Sequence, residues 1–206
     1  MMKDFFKRLK EDKVGFAGFI GIFIVFVVGL AAPLIAPYQP DQMFTDHVLE
    51  SPSSQFLFGT DELGRDIFSR IVYGAQVSLQ VGLIAVGIGA IGGLIFGLLA
   101  GYFQGKVDQI IMRIMDIFFA FPDILLALTI VAVLGPSLTN TMIAIGIVFM
   151  PVFTRLVRSA VLSVKESEYV ANAEAVGVRP FVILFRHITP NIMAPFIVQV
   201  TLALSG

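Results

Sequence analysis

The stretch Val77–Phe103, VSLQVGLIAVGIGAIGGLIFGLLAGYF, decides the fold class: 27 residues pass without one charged side chain. As a helix at 1.5 Å per residue it reaches about 40 Å, more than the ~30 Å hydrocarbon core of a bilayer. Within it, Gly89, Gly93, Gly97 and Gly101 recur every fourth residue, which sets four glycines on one helix face. A second backbone can approach such a face closely. The expected role is tight packing, with no part in substrate handling.

Working outward, similar runs lie at Val14–Ala36, at Ile110–Leu134 and at Leu138–Val157, and a fifth begins near Ile192 and is still apolar at Gly206. Of the 206 residues, 57% are hydrophobic and 14% charged, with mean hydropathy +0.89. A soluble domain carries about a quarter charged residues, so lipid is the second solvent here. The expected fold is an all-α, polytopic transmembrane helical bundle. The basic flank Lys3, Lys7, Arg8, Lys10 and Lys13 resembles the start of a signal peptide, but the 23-residue run behind it exceeds the ~7–15 residues of such a core. It reads as a membrane anchor. The last run, Asn191–Gly206, is 16 residues long. It spans only about 24 Å, so the chain is expected to be truncated within that span.

Charge sets the expected orientation. With the N-terminus inside, Lys106, Arg113, Arg155, Arg158, Lys165, Arg179 and Arg186 are also inside, and 12 of 14 basic residues are cytoplasmic. The outer loop, Tyr38–Gln76, then holds only Arg65 and Arg70 against Asp41, Asp46, Glu50, Asp61, Glu62 and Asp66. Residues 37–58 read as irregular. From Thr60 a cap followed by Leu63, Ile67 and Ile71 predicts a short amphipathic helix on the outer surface, unless it simply runs on into the second span. Three regions follow: 1–37, a basic segment and first span; 38–76, the outer loop; and 77–206, the remaining transmembrane domain, with an inner loop at 159–191.

Enzyme chemistry has no support. The chain lacks a phosphate-binding G-x-x-x-x-G-K-[ST] loop, a zinc-binding H-E-x-x-H helix and a G-x-S-x-G nucleophile turn. It has no cysteine, and its two histidines, His47 and His187, lie far apart in sequence. No catalytic, cofactor-binding or metal residue is therefore assigned, and near-neutral charge gives no reason to expect nucleic acid. Among the spans the acids are Asp116 and Asp123; Asp116 is placed for an i,i+3 pair with Arg113, and each is expected to cap a backbone group or pair with a neighbouring helix. Ion coupling usually places ionisable groups deep in the membrane, so a transport function would draw its energy from elsewhere.

The inner loop is the informative segment. Glu168–Val176 reads as a helix rich in alanine, Gly177 stands where a glycine ends one, and Pro180 permits a second short helix over Phe181–Ile188. Thr189-Pro190-Asn191 is expected to turn the chain back into the membrane. An ordinary amphipathic connector on the lipid surface is the plainer alternative.

This loop resembles the E-A-A, three residues, G, nine residues, I-x-L-P pattern of ABC importer permeases. Ala173, Gly177 and Pro190 match it; Ala171 and Asn172 stand where it has glutamate and alanine, and His187 and Thr189 stand where it has isoleucine and leucine. Phe58-Gly59-Thr60-Asp61-Glu62-Leu63-Gly64-Arg65-Asp66, with Ser69-Arg70 and Tyr73-Gly74-Ala75, is similar to the outer signature of the C-type subunit of dipeptide, oligopeptide and nickel importers. Arg186-His187 and Phe121-Pro122 agree with that subfamily. The resemblance implies six spans, of which this chain would end in the fifth. It implies a second permease subunit working as a pair with this one, two ATPase subunits that bind ATP and Mg, and an extracytoplasmic solute-binding protein. It also implies that the segment from Tyr169 to Pro190 couples to the ATPase, through Ala171, Asn172, Ala173, Gly177 and Pro190. The function to expect is ATP-driven import of peptides, or nickel, across the cytoplasmic membrane. An ATP-independent secondary transporter or channel is the alternative, and a membrane enzyme or an inactive fragment are weaker rivals.

Overall fold

The computed structural model describes residues 13–205. The basic flank Lys3–Lys10 lies outside the described residues. The chain divides into two compact units, Met1–Gln80 and Val81–Gly206. Every regular element among the described residues is helical.

In the first unit, α1 (Lys13–Leu30) is followed by a short α2 (Ala32–Ile35). The break falls where Pro33 lacks the N–H that a continuous helix would need. The loop beyond is irregular in backbone but has its own core: Phe56 is fully buried, with Tyr38, Phe44 and His47 around it at ring distances of 5.6, 5.2 and 5.4 Å. The separate surface helix expected from Thr60 does not form. Thr60–Asp66 is instead a tight turn closed by an antiparallel bridge between those two residues. Thr60 is not a helix cap, because its hydroxyl accepts from the Glu50 N–H and donates to the His47 carbonyl. Asp66 caps the next helix, accepting from the Ser69 N–H at 2.7 Å. That helix, α3 (Ile67–Phe103), runs unbroken for 37 residues.

The second unit contains the rest of α3, then α4 (Gly105–Phe119), α5 (Asp123–Leu134), α6 (Leu138–Lys165), α7 (Glu168–Ala175), the single turn α8 (Pro180–Val182), a wider π-turn over Ile183–Ile188, and α9 (Thr189–Ser205). The glycine face of α3 lies on α6. A β-carbon at Gly89, Gly97 or Gly101 would fall within 2.7, 2.5 and 2.7 Å of Phe149, Val157 and Val161 respectively. Gly146 on α6 meets Ile88 in the same way. Glycine here is a requirement of close backbone approach, as in other small-residue membrane interfaces.

The expected third span is not one helix: α4 and α5 are bent by 95° across Ala120–Pro122. Pro122 has no N–H and forces Phe121 away from helical backbone. Asp123 then opens α5 favourably for its dipole. Among the described residues, four helices are long and apolar enough to cross a membrane, or five if the bent pair is one span.

Candidate functional site: the inner loop and its anchors

Lys165, the last residue of α6, donates to the Tyr102 carbonyl at 2.8 Å and lies over the Tyr102 ring. It thus supplies a donor and a positive charge to the C-terminal turn of α3, where carbonyls lack helical partners. The helix α6 is eight residues longer than the expected fourth span, ending at Lys165 rather than Val157. Its charged extension is held by neighbours: Arg158 makes a two-pronged bond to Asp108 on α4, both contacts 2.5 Å. Arg155 donates to Asp116 at 2.6 Å and stacks on Phe119. Asp116 therefore pairs with the neighbouring helix as expected, but through Arg155 rather than Arg113.

The chain then turns at Ser167, whose hydroxyl donates to the Val164 carbonyl, and enters α7. This helix buries a single side chain, Val170, in a cluster with Leu98, Tyr102, Val157, Val161, Ile183, Leu184, Ile188 and Ile192. One apolar anchor therefore ties α7 to α3, α6 and the segment that follows it. Tyr169, Ala171 and Asn172 are exposed, while Ala173 is half-buried against the cluster.

Gly177 ends α7 in a left-handed conformation, φ +81°. Its N–H bonds the Glu174 carbonyl at 3.0 Å and the Val178 N–H bonds the Ala173 carbonyl at 3.1 Å. This pair is the Schellman closure, and the accompanying contact is between Ala173 and Val178, both on the core cluster. A β-carbon on Gly177 would meet nothing within 4 Å. The glycine is therefore required by backbone conformation and leaves an open surface, with Val176 and Phe181 exposed beside it.

Pro190 does not sit in a turn. The expected reversal at Thr189–Asn191 is replaced by helix that continues from Pro180 to Ser205. The π-turn makes this possible: it widens the coil ahead of a proline whose ring would crowd the preceding turn and whose missing N–H leaves a carbonyl free. Both the backbone N–H and the hydroxyl of Thr189 reach the Leu184 carbonyl, and the Asn191 amide reaches the His187 carbonyl at 2.6 Å. The structure thus gathers Tyr169, Ala171, Asn172, Ala173 and Gly177 on one short helix and its cap, and places Pro190 apart, along the next helix. Sequence reasoning missed Val170, Asp108 and Lys165, the residues that hold this loop in place. As the one branched aliphatic side chain in Glu168–Ala175, Val170 could have been marked by its residue type.

The outer signature is equally specific. Asp61 accepts from the Leu63 and Arg65 N–H groups at 2.9 and 3.0 Å, and from the Arg65 and Arg70 guanidinium groups at 2.8 and 2.6 Å. Burial pushes its carboxyl upward, but the two backbone N–H groups and Arg65 outweigh that and hold it at about 2. Gly59 and Gly64 have φ of +77° and +70°, and a β-carbon on either would run into the backbone at Glu50 or Phe44.

Residues 93–206 match the family model of the binding-protein-dependent transport system inner membrane component, and residues 1–52 match that of the N-terminal transmembrane domain of oligopeptide transport permease C. The chain belongs to the binding-protein-dependent inner-membrane permease family. It is 48% identical over 200 residues to a dipeptide transport system permease protein of Alkalihalophilus pseudofirmus, covering 97% of this chain and 66% of that protein. It is 42% identical over 211 residues to a di/tripeptide transport system permease protein of Pseudomonas aeruginosa, covering 100% of this chain and 70% of the relative. A glutathione transport system permease protein of Escherichia coli is 42% identical, with 97% of this chain and 66% of the relative covered. The chain thus spans about two thirds of the length of the curated relatives it matches.

Proposed function

We propose that this chain is a permease subunit of an ATP-driven importer of short peptides in the cytoplasmic membrane. It works with a second permease subunit, ATPase subunits that carry ATP and Mg, and an extracytoplasmic solute-binding protein. The likeness to dipeptide, di/tripeptide and glutathione permeases supports the substrate class. The observation that carries the mechanism is α7: a helix fixed to the bundle by Val170 and the half-buried Ala173, closed by a left-handed glycine turn, and exposing Ala171 and Asn172. Such a helix suits a groove on a partner, and its anchor cluster transmits a push to α3, α6 and α9 together.

The N-terminus is cytoplasmic in this reading, and so is α7. For both to lie on one side, the bent α4–α5 pair must count as one crossing; as a re-entrant loop it would put α7 outside. The test is a pull-down in mild detergent from the native host. Recovery of an ATPase with the parental chain and its loss with Gly177→Asp supports the reading, because aspartate adds bulk and charge at the docking turn while tolerating its backbone. Undiminished ATPase-coupled uptake by Gly177→Asp refutes the role of the turn.

A further inference from the structure

Two arginine–aspartate pairs join α6 to α4, and they differ in character. Arg158–Asp108 is two-pronged, with side chains 31% and 17% exposed. Arg155–Asp116 is single-pronged, with side chains 47% and 60% exposed. The first is a clamp. The second uses one of the five donors on its guanidinium, and so exposed a pair contributes little to stability.

Arg155 also lines a cavity of about 560 Å³ between α6 and α9. Ser159 and Ser163 follow it at i+4 and i+8 on the same face of α6, and Gln199 faces them from α9. Arg155 stands ten residues before the end of α6 at Lys165, about 15 Å into a helix long enough to cross a membrane. The helix is 28 residues, about 42 Å, so Arg155 lies close to the inner edge of a ~30 Å core, where a half-exposed charge has to meet water or polar groups. The volume falls in the ~300–1,000 Å³ range of small-ligand sites.

The geometry points to this cavity as part of the peptide's path, with Arg155 taking the carboxylate of a zwitterionic peptide and Asp116, bonded to Arg155 from α4 and outside the cavity lining, released to take its ammonium group. The inference rests on the importer reading and names the groups that would recognise its substrate. A free peptide carries one charge of each sign, as does the exposed pair, so exchange of the internal partner for the ligand leaves no charge unpaired. Ser159, Ser163 and Gln199 supply neutral hydrogen bonds for the peptide backbone further along the groove.

The chain contains no cysteine, so single cysteines report cleanly. In inverted vesicles of the native host, Ser159→Cys, Ser163→Cys and Gln199→Cys are exposed to a charged, water-soluble thiol reagent, with Ile197→Cys as control. Ile197 is exposed on the same helix as Gln199 and, two residues away, points to a different side. The groove positions are expected to react about tenfold faster than Ile197→Cys, since a lipid-facing thiol is shielded from a charged reagent. A zwitterionic dipeptide is expected to slow them, whereas the same dipeptide acetylated and amidated at its ends is not. Equal rates, or no protection by the dipeptide, overturn the proposal. Arg155→Gln should lower uptake of the zwitterionic dipeptide about tenfold, as for loss of one charged hydrogen bond, with uptake of the blocked dipeptide little changed and Arg155→Lys partly restoring the first. A parallel fall for both peptides makes Arg155 structural and overturns its role. ATP-driven uptake in parental right-side-out vesicles, loaded with ATP and supplied with the solute-binding protein, separates the two levels. Uptake with an unreactive groove removes the path alone, and absence of ATP-driven uptake removes the importer reading with it.

Discussion

Replacing Gly97 by alanine should loosen the contact between α3 and α6. A β-carbon there would lie 2.5 Å from the β-carbon of Val157, 2.7 Å from its Cγ1 and 2.8 Å from the Thr154 carbonyl. Two of those atoms are fixed to the α6 backbone, so rotation of a side chain cannot relieve the clash. The helices must separate by several tenths of an ångström, which costs about 1–3 kcal/mol as overpacking. Alanine returns about 0.5–1 kcal/mol through better helix propensity, leaving a net loss of about 0–2.5 kcal/mol. Gly87 on the same helix provides the contrast, because a β-carbon there meets nothing within 4 Å. Gly87→Ala should be neutral, or stabilising by up to ~1 kcal/mol. The assay is equilibrium unfolding of the purified chain in mixed micelles, followed by circular dichroism. If Gly97→Ala costs no more than Gly87→Ala, the close approach of the two backbones is wrong.

Three further predictions concern other parts of the molecule. Gly177→Ala should cost about 1 kcal/mol from its left-handed backbone and speed hydrogen exchange at the Val178 N–H about fivefold, while Gly177→Asn should do less; equal exchange in both would contradict the Schellman closure. Asp108→Ala should lower stability by about 2–3 kcal/mol, since it strands the half-buried Arg158, whereas Asp116→Ala should cost under ~1 kcal/mol; thermal unfolding in detergent compares them. Asp61 has a folded carboxyl at about 2 against an ordinary 3.8, so its contribution to the outer turn is complete above pH 3.8 and is lost as pH falls through about 2. Asp61→Asn should abolish that dependence, read as resistance of the outer loop to an acid protease between pH 2 and 5.

Much of this protein is legible in its sequence because lipid imposes a simple rule. An uncharged run such as Val77–Phe103 has to satisfy its backbone internally, and a helix does so with no partner. The glycine period and the glycine that ends α7 follow from local geometry in the same way. Other features depend on atoms far apart in sequence. Whether Asp116 bonds Arg113 or Arg155 is decided by how α4 lies on α6, and no i,i+3 rule contains that information. The Pro122 signal marks a break but gives no angle, so one expected span became two helices at 95°. Pro190 reads locally as a turn. It is carried within a helix because Ile188 and Ile192 on either side are buried in the core cluster, and Thr189 and Asn191 bond carbonyls of the preceding turn. The sequence by itself determined which segments leave water. Only tertiary packing decided which charges meet, and where a helix with a proline bends or continues, because those outcomes depend on neighbours that supply or withhold a hydrogen bond.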